Sequence, residues 1–94
     1  MIELIKITRN FSERSHKLTK IFINPEHVAA IEEDENLQNT FEKHPEEFPD
    51  GLDKKIGFSR LSISNGTASS QYTIVGLPEV VIGKIHKKRT LLNG

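Results

Sequence analysis

The feature that most constrains this chain is Asn65-Gly66, set between two stretches that each alternate along their length. In FSRLSIS (58–64), Phe58, Arg60, Ser62 and Ser64 fall on one side and Ser59, Leu61 and Ile63 on the other. In TASSQYTIV (67–75), Ala68, Ser70, Tyr72 and Ile74 share a side. Successive side chains of a strand point to opposite faces, so both stretches read as strands. Asn-Gly can supply the two positive-φ positions of a type I′ turn, whose twist suits a hairpin. A hairpin over 58–75 is expected. An isolated hairpin is marginal in water, so the rest of the chain has to extend it or cover it.

The upstream residues supply the extension. IELIKITR (2–9) and LTKIFI (18–23) are rich in β-branched residues and read as two more strands. NFSERSHK (10–17) is polar and reads as an exposed connection between them. Asn24-Pro25 breaks the second strand, and the cap-plus-proline pair suits a single helical turn over Pro25–His27. VAAIEE (28–33) extends that turn or forms a further strand. Ala29 and Ala30 favour helix, Val28 and Ile31 favour strand, and the strand is preferred.

Downstream, Gly76 ends the hairpin and Pro78 suits a first helical position. Leu77, Val81 and Ile85 then recur at helical spacing through EVVIGKIHKKR (79–89), with cations crowding the C-terminal turn. The expected fold is α+β: a small antiparallel sheet of about five strands with a C-terminal helix over one face. It is a single domain over 1–94, interrupted by an irregular acidic excursion at about 34–57.

That excursion dominates the charge layout. Thirteen basic and thirteen acidic side chains give a formal charge of zero, but residues 26–53 hold ten of the acids against Lys43 alone, a net of −9. The remainder carries +9. A connection this long without structure is unusual in a compact domain. Either residues 35–43 form a short helix packed through Leu37 and Phe41 at i, i+4, or the segment orders on a partner.

Met1-Ile2, IFINPEHVAAIEE (21–33), LSISNG (61–66) and YTIVGLPEVVIGKI (72–85) together resemble the FlbD/SwrD-type small flagellar proteins. The resemblance covers roughly half of the chain and implies a small β-rich scaffold with a terminal helix. It carries over no catalytic residues. The sequence departs from that pattern in the longer connection at 10–17, in the excursion at 34–57, and in Gly76-Leu77-Pro78.

Several chemistries find no support. There is no cysteine, which excludes disulfides, thiol redox chemistry and Cys-based zinc sites. The four histidines, at 16, 27, 44 and 86, lack helical zinc-site spacing. His44 with Glu46, Glu47 and Asp50 offers at most a weak cation site. Ser12, Ser15 and His16 lie close in sequence without a third orienting group, and there is no phosphate-cradling glycine loop. No apolar run approaches membrane-spanning length, and MIELIKITRN has no secretory pattern. No enzyme activity, cofactor, metal or membrane insertion is expected, and a cytoplasmic location is.

Two readings of function follow. The first is a non-enzymatic interaction module that self-associates as a homo-oligomer or docks on a protein partner in a larger assembly. Its candidate acidic surface is Glu32, Glu33, Asp34, Glu35, Glu42, Glu46, Glu47, Asp50 and Asp53. The second is a single-stranded nucleic-acid-binding module. Its cations would be Lys54, Lys55, Arg60, Lys84, Lys87, Lys88 and Arg89, with Phe58 and Tyr72 stacking on bases if exposed.

Overall fold

The computed structural model describes residues 1–53 and 55–93, with residues 87–93 as backbone only. The chain runs through β1 (Ile2–Asn10), β2 (Ser15–Ile23), a 3-10 turn (Pro25–His27), β3 (Val28–Glu33) and α1 (Glu35–Lys43). A second 3-10 turn (Pro45–Glu47), β4 (Phe58–Asn65), β5 (Ala68–Val75) and α2 (Pro78–Asn93) follow. The strands form one antiparallel sheet in the order β2-β1-β5-β4-β3, so the α+β expectation holds.

The hairpin forms, but its turn sits one residue further on than Asn-Gly implies. Asn65 pairs with Ala68, which leaves Gly66 and Thr67 as the central residues. Gly66 has φ +69 and Asn65 and Thr67 are not in the positive region, the pattern of a type II′ turn. The connection at 10–17 is also shorter than expected, because Asn10 pairs with Ser15 and only 11–14 turn. Asn10 Oδ1 accepts from Ser12 Oγ and the Glu13 amide, and Arg14 takes φ +50. His16 is thereby drawn into the sheet.

Four residues, 24–27, link β2 at one edge to β3 at the other. A flat sheet would separate those edges by about four strand spacings, roughly 19 Å, plus the offset along the strands. The sheet must therefore curl, and residues from both edges do share one core. Ile2, Leu4, Ile23, Leu61 and Ile74 pack there with Val81 and Ile85 of α2. Val28 and Ile31 of β3 reach the same core although three residues apart, because the β3–β4 register shifts between Val28 and Ala30. One extra residue in a strand reverses the alternation beyond it.

The opposite face is covered by the excursion, whose regular elements are α1 and the 3-10 turn at Pro45–Glu47; the described residues from there to β4 form no further helix or strand. Asp34 caps α1, its Oδ1 accepting from the Leu37 amide at 3.0 Å. Leu37 and Phe41 then turn towards the sheet, the first of the two outcomes expected for this segment. Phe41, Phe48, Phe58 and Ile7 form a second core, with Leu52 and Ile56 packed against it. Rings tie this layer down: His16 stacks on Phe48 with centroids 4.0 Å apart, and Phe41 meets Phe58 edge to face at 5.8 Å.

Candidate functional site

Between α1 and the sheet lies a cleft of about 340 Å³. Its floor is apolar, from Ile7 and Leu37, and its polar wall carries Arg9, His16, Asp34, Arg60 and Thr73. Strand pairing explains the grouping. Arg9 lies opposite His16 across β1–β2, and Arg60 lies opposite Thr73 across β4–β5. All four project to the face that carries Ile7 and Phe58, because each sits an even number of residues, or directly across a pair, from those positions.

The charges differ in how well they are satisfied. Arg9 donates to Glu47 Oε1 at 3.2 Å, and the Glu47 side chain is largely buried. His16 Nδ1 lies 3.0 Å from the Glu47 carbonyl oxygen, which can only accept, so Nδ1 carries a proton and donates. No hydrogen bond among the described residues engages His16 Nε2. Arg60 has no hydrogen bond among them either, and its nearest carboxylate oxygen, Asp34 Oδ2, is 4.0 Å from Nε. Arg9 does not stand out in the sequence as part of a site, and His16 does so only beside Ser12 and Ser15, neither of which lines this cleft. Their signal is the pairing of two strand ends, and their common partner Glu47 lies more than thirty residues away.

A second concavity, about 320 Å³, runs between β3 and α2. Pro25, Val28, Ala30, Ile31, Ile82 and Ile85 line it. Ile82 and Val80 are exposed apolar residues of α2, and among the described residues β3 pairs with β4 only, which leaves its outer backbone edge open there.

The expected acidic surface divides. Glu32, Glu33, Glu35, Glu42, Glu46, Asp50 and Asp53 are exposed, whereas Asp34 is a buried cap and Glu47 is the partner of Arg9. His44, Glu46 and Glu47 bring ligand atoms within 4.8 Å of one another without Asp50, but Glu47 is already paired. The expected basic surface divides too. Arg60 faces the cleft, exposed Lys84 belongs to the helix on the other side of the sheet, and Lys55 is exposed on the segment leading to β4. The side chains of Lys54, Lys87, Lys88 and Arg89 lie outside the described residues. Phe58 is fully buried and Tyr72 packs against the α2-side core, so neither is a free stacking platform.

No family model matches the chain, and no curated protein and no solved structure matches it. Among the described residues, no helix is long and apolar enough to cross a membrane.

Proposed function

We propose that this protein is a small non-enzymatic interaction module that self-associates or docks on a larger assembly by taking up an extended segment along β3. The observation that carries the reading is the open β3 edge beside an apolar groove. An added strand would gain main-chain hydrogen bonds from the edge and bury alternate side chains against Ile31 and Ile82. Glu32 and Glu33 are exposed on β3, so the segment it takes up is apolar and cationic. A second copy offers such a segment in β2, the other open edge, where Lys17 and Lys20 are exposed. Pairing like edges would oppose lysines or glutamates, whereas unlike pairing joins opposite charges. A flagellar structure is one candidate assembly, on the strength of the resemblance in residues 21–33, 61–66 and 72–85 alone.

Light scattering across protein concentration and salt tests the proposal. Mass should rise with concentration at low salt, and Ile82→Glu should abolish the rise. A chain that stays monomeric at high concentration and low salt defeats the self-association arm. Single-stranded nucleic-acid binding is the alternative proposal, and a fluorescence titration without salt-dependent binding removes it.

A further inference from the structure

Pairing of β3 with the β2 of a second copy, the proposal on which this inference rests, fixes how two copies lie. Every neighbouring pair in the sheet is antiparallel, so in the order β2-β1-β5-β4-β3 the two edge strands run in the same direction. Antiparallel addition, the more stable pairing per residue, therefore needs the incoming copy to be reversed end to end. Its β2 must also lie next to β3 with the rest of its own sheet extending outwards. Only a half-turn about the axis that crosses the strands does both, and that half-turn exchanges the two faces. The α1 side of the incoming β2 then continues the α2 side of β3.

Face exchange leaves one register that fits. On β2, Lys20 and Phe22 lie on the α1 side, because they alternate with Ile21 and Ile23 of the α2-side core. On β3, Ile31 and Glu33 lie on the α2 side, opposite Leu61 and Ser59. A register that sets Phe22 opposite Ile31 also sets Lys20 opposite Glu33. Phe22 is 61% exposed in the single chain and belongs to neither core. In this register it covers Ile31 beside the groove that Ile82 and Ile85 line. Lys20 meets only Glu3, at 3.4 Å and exposed, and Glu33 has no ion pair among the described residues. Glu32, on the other face, keeps Arg60 as its neighbour across β3–β4. A shift of two residues sets either Phe22 opposite Glu33 or Lys20 opposite Ile31, and loses both matches.

We infer that copies of this chain add head to tail in this register, the β2 of one against the β3 of the next, and build an open series. The two edges are different surfaces, so a copy that has used one still offers the other. A contact between unlike surfaces forms a ring only where its rotation closes. Here the half-turn comes with a step along its own axis, and the exchanged faces reverse the curl of the sheet from copy to copy, so the row stays open.

Sedimentation velocity at low salt tests the register and the growth together. The parent chain should pass beyond dimer as concentration rises. Lys20→Glu and Glu33→Lys each set like charges across the contact, and each should weaken association at least about tenfold. An equal mixture of the two variants should recover it, because each supplies the charge that the other needs. Phe22→Ala should weaken association about tenfold while thermal unfolding of the dilute chain stays near that of the parent, and it serves if a charge variant fails to fold. Growth that stops at a dimer overturns the head-to-tail arrangement and leaves self-association standing. A mixture no better than its components, or Phe22→Ala assembling as the parent does, overturns the register in the same way. A parent chain that is monomeric throughout removes self-association and this inference together.

Discussion

The two faces of the sheet are built from different materials. Towards α2 the core is aliphatic: Leu4, Leu61, Ile74 and Val81 are almost wholly buried, and the polar exception, Ser59, donates to the Gly76 carbonyl at 2.6 Å. Towards α1 the core is aromatic and edged with charge: Phe41, Phe48 and Phe58 abut Arg9, His16, Asp34 and Arg60. An aliphatic layer closes without leaving polar groups to satisfy. The aromatic layer stops short of the charged strand positions and leaves a cleft over them. The first face is thus sealed, whereas the second leaves Arg9, His16, Asp34 and Arg60 lining an open cleft, and the two faces are expected to differ in how readily they open locally.

The sharpest way to break that comparison is to truncate one residue on each face. Leu61→Ala should cost about 2–5 kcal/mol, a large share of a small domain's stability. Because Leu61 packs among residues of four strands and α2, protection should fall together throughout the sheet in native-state hydrogen exchange. Phe48→Ala removes a similar amount of contact, about 3–5 kcal/mol. Its loss should instead open residues 34–56 locally, with the Gln38 and His44 amides exchanging faster while the β4–β5 ladder keeps its protection. If Phe48→Ala lowers both equally, the faces form one cooperative unit and the comparison fails.

The difference between the faces also explains what the sequence disclosed. The α2 face follows from local spacing: alternation through Leu61 and Ile63, and helical recurrence of Val81 and Ile85, place their core partners without knowledge of the rest of the chain. The α1 face depends on pairs distant in sequence. Leu37 and Phe41 mark a helix, but nothing nearby tells that Arg9 meets Glu47 or that His16 stacks on Phe48. His16 sits in a polar run that reads as a turn, and only the pairing of Asn10 with Ser15 places it in a strand. The bulge in β3 is equally hidden, since Val28 and Ile31 look out of phase until the register shift is known. Long-range pairing and insertions in strands are tertiary facts, so periodicity cannot express them.

A smaller effect tests where the two layers join. Gly57 precedes β4, and its carbonyl accepts from the Gly76 amide at 2.8 Å, at the corner that leads into α2. A Cβ at Gly57 would overlap the Leu77 side chain. Gly57→Ala should therefore cost about 1–3 kcal/mol by forcing Leu77 to move. Gly57→Ala with Leu77→Ala should recover part of that loss in denaturant melts. No recovery would mean that backbone strain, not the overlap, is the cause.

The smallest effect separates the two jobs of Asp34. Its carboxylate caps α1 through the Leu37 amide and is also the charge nearest to Arg60. Asp34→Ala removes both and should cost about 1 kcal/mol, seen first in the exchange of α1 amides. Asp34→Asn keeps the cap, because Asn and Asp are nearly equivalent there, and removes only the charge. The Arg60–Asp34 pair is long and partly exposed, so its loss should change stability by less than about 1 kcal/mol. The cleft would then carry one net positive charge. If Asp34 balances the charge of Arg60, that small change in stability should shrink further as salt is raised. If instead Asp34 matters only as a cap, Asp34→Asn should match the parent in melting at every salt concentration. The face towards α1 would then be a structural layer like its opposite, differing in composition alone.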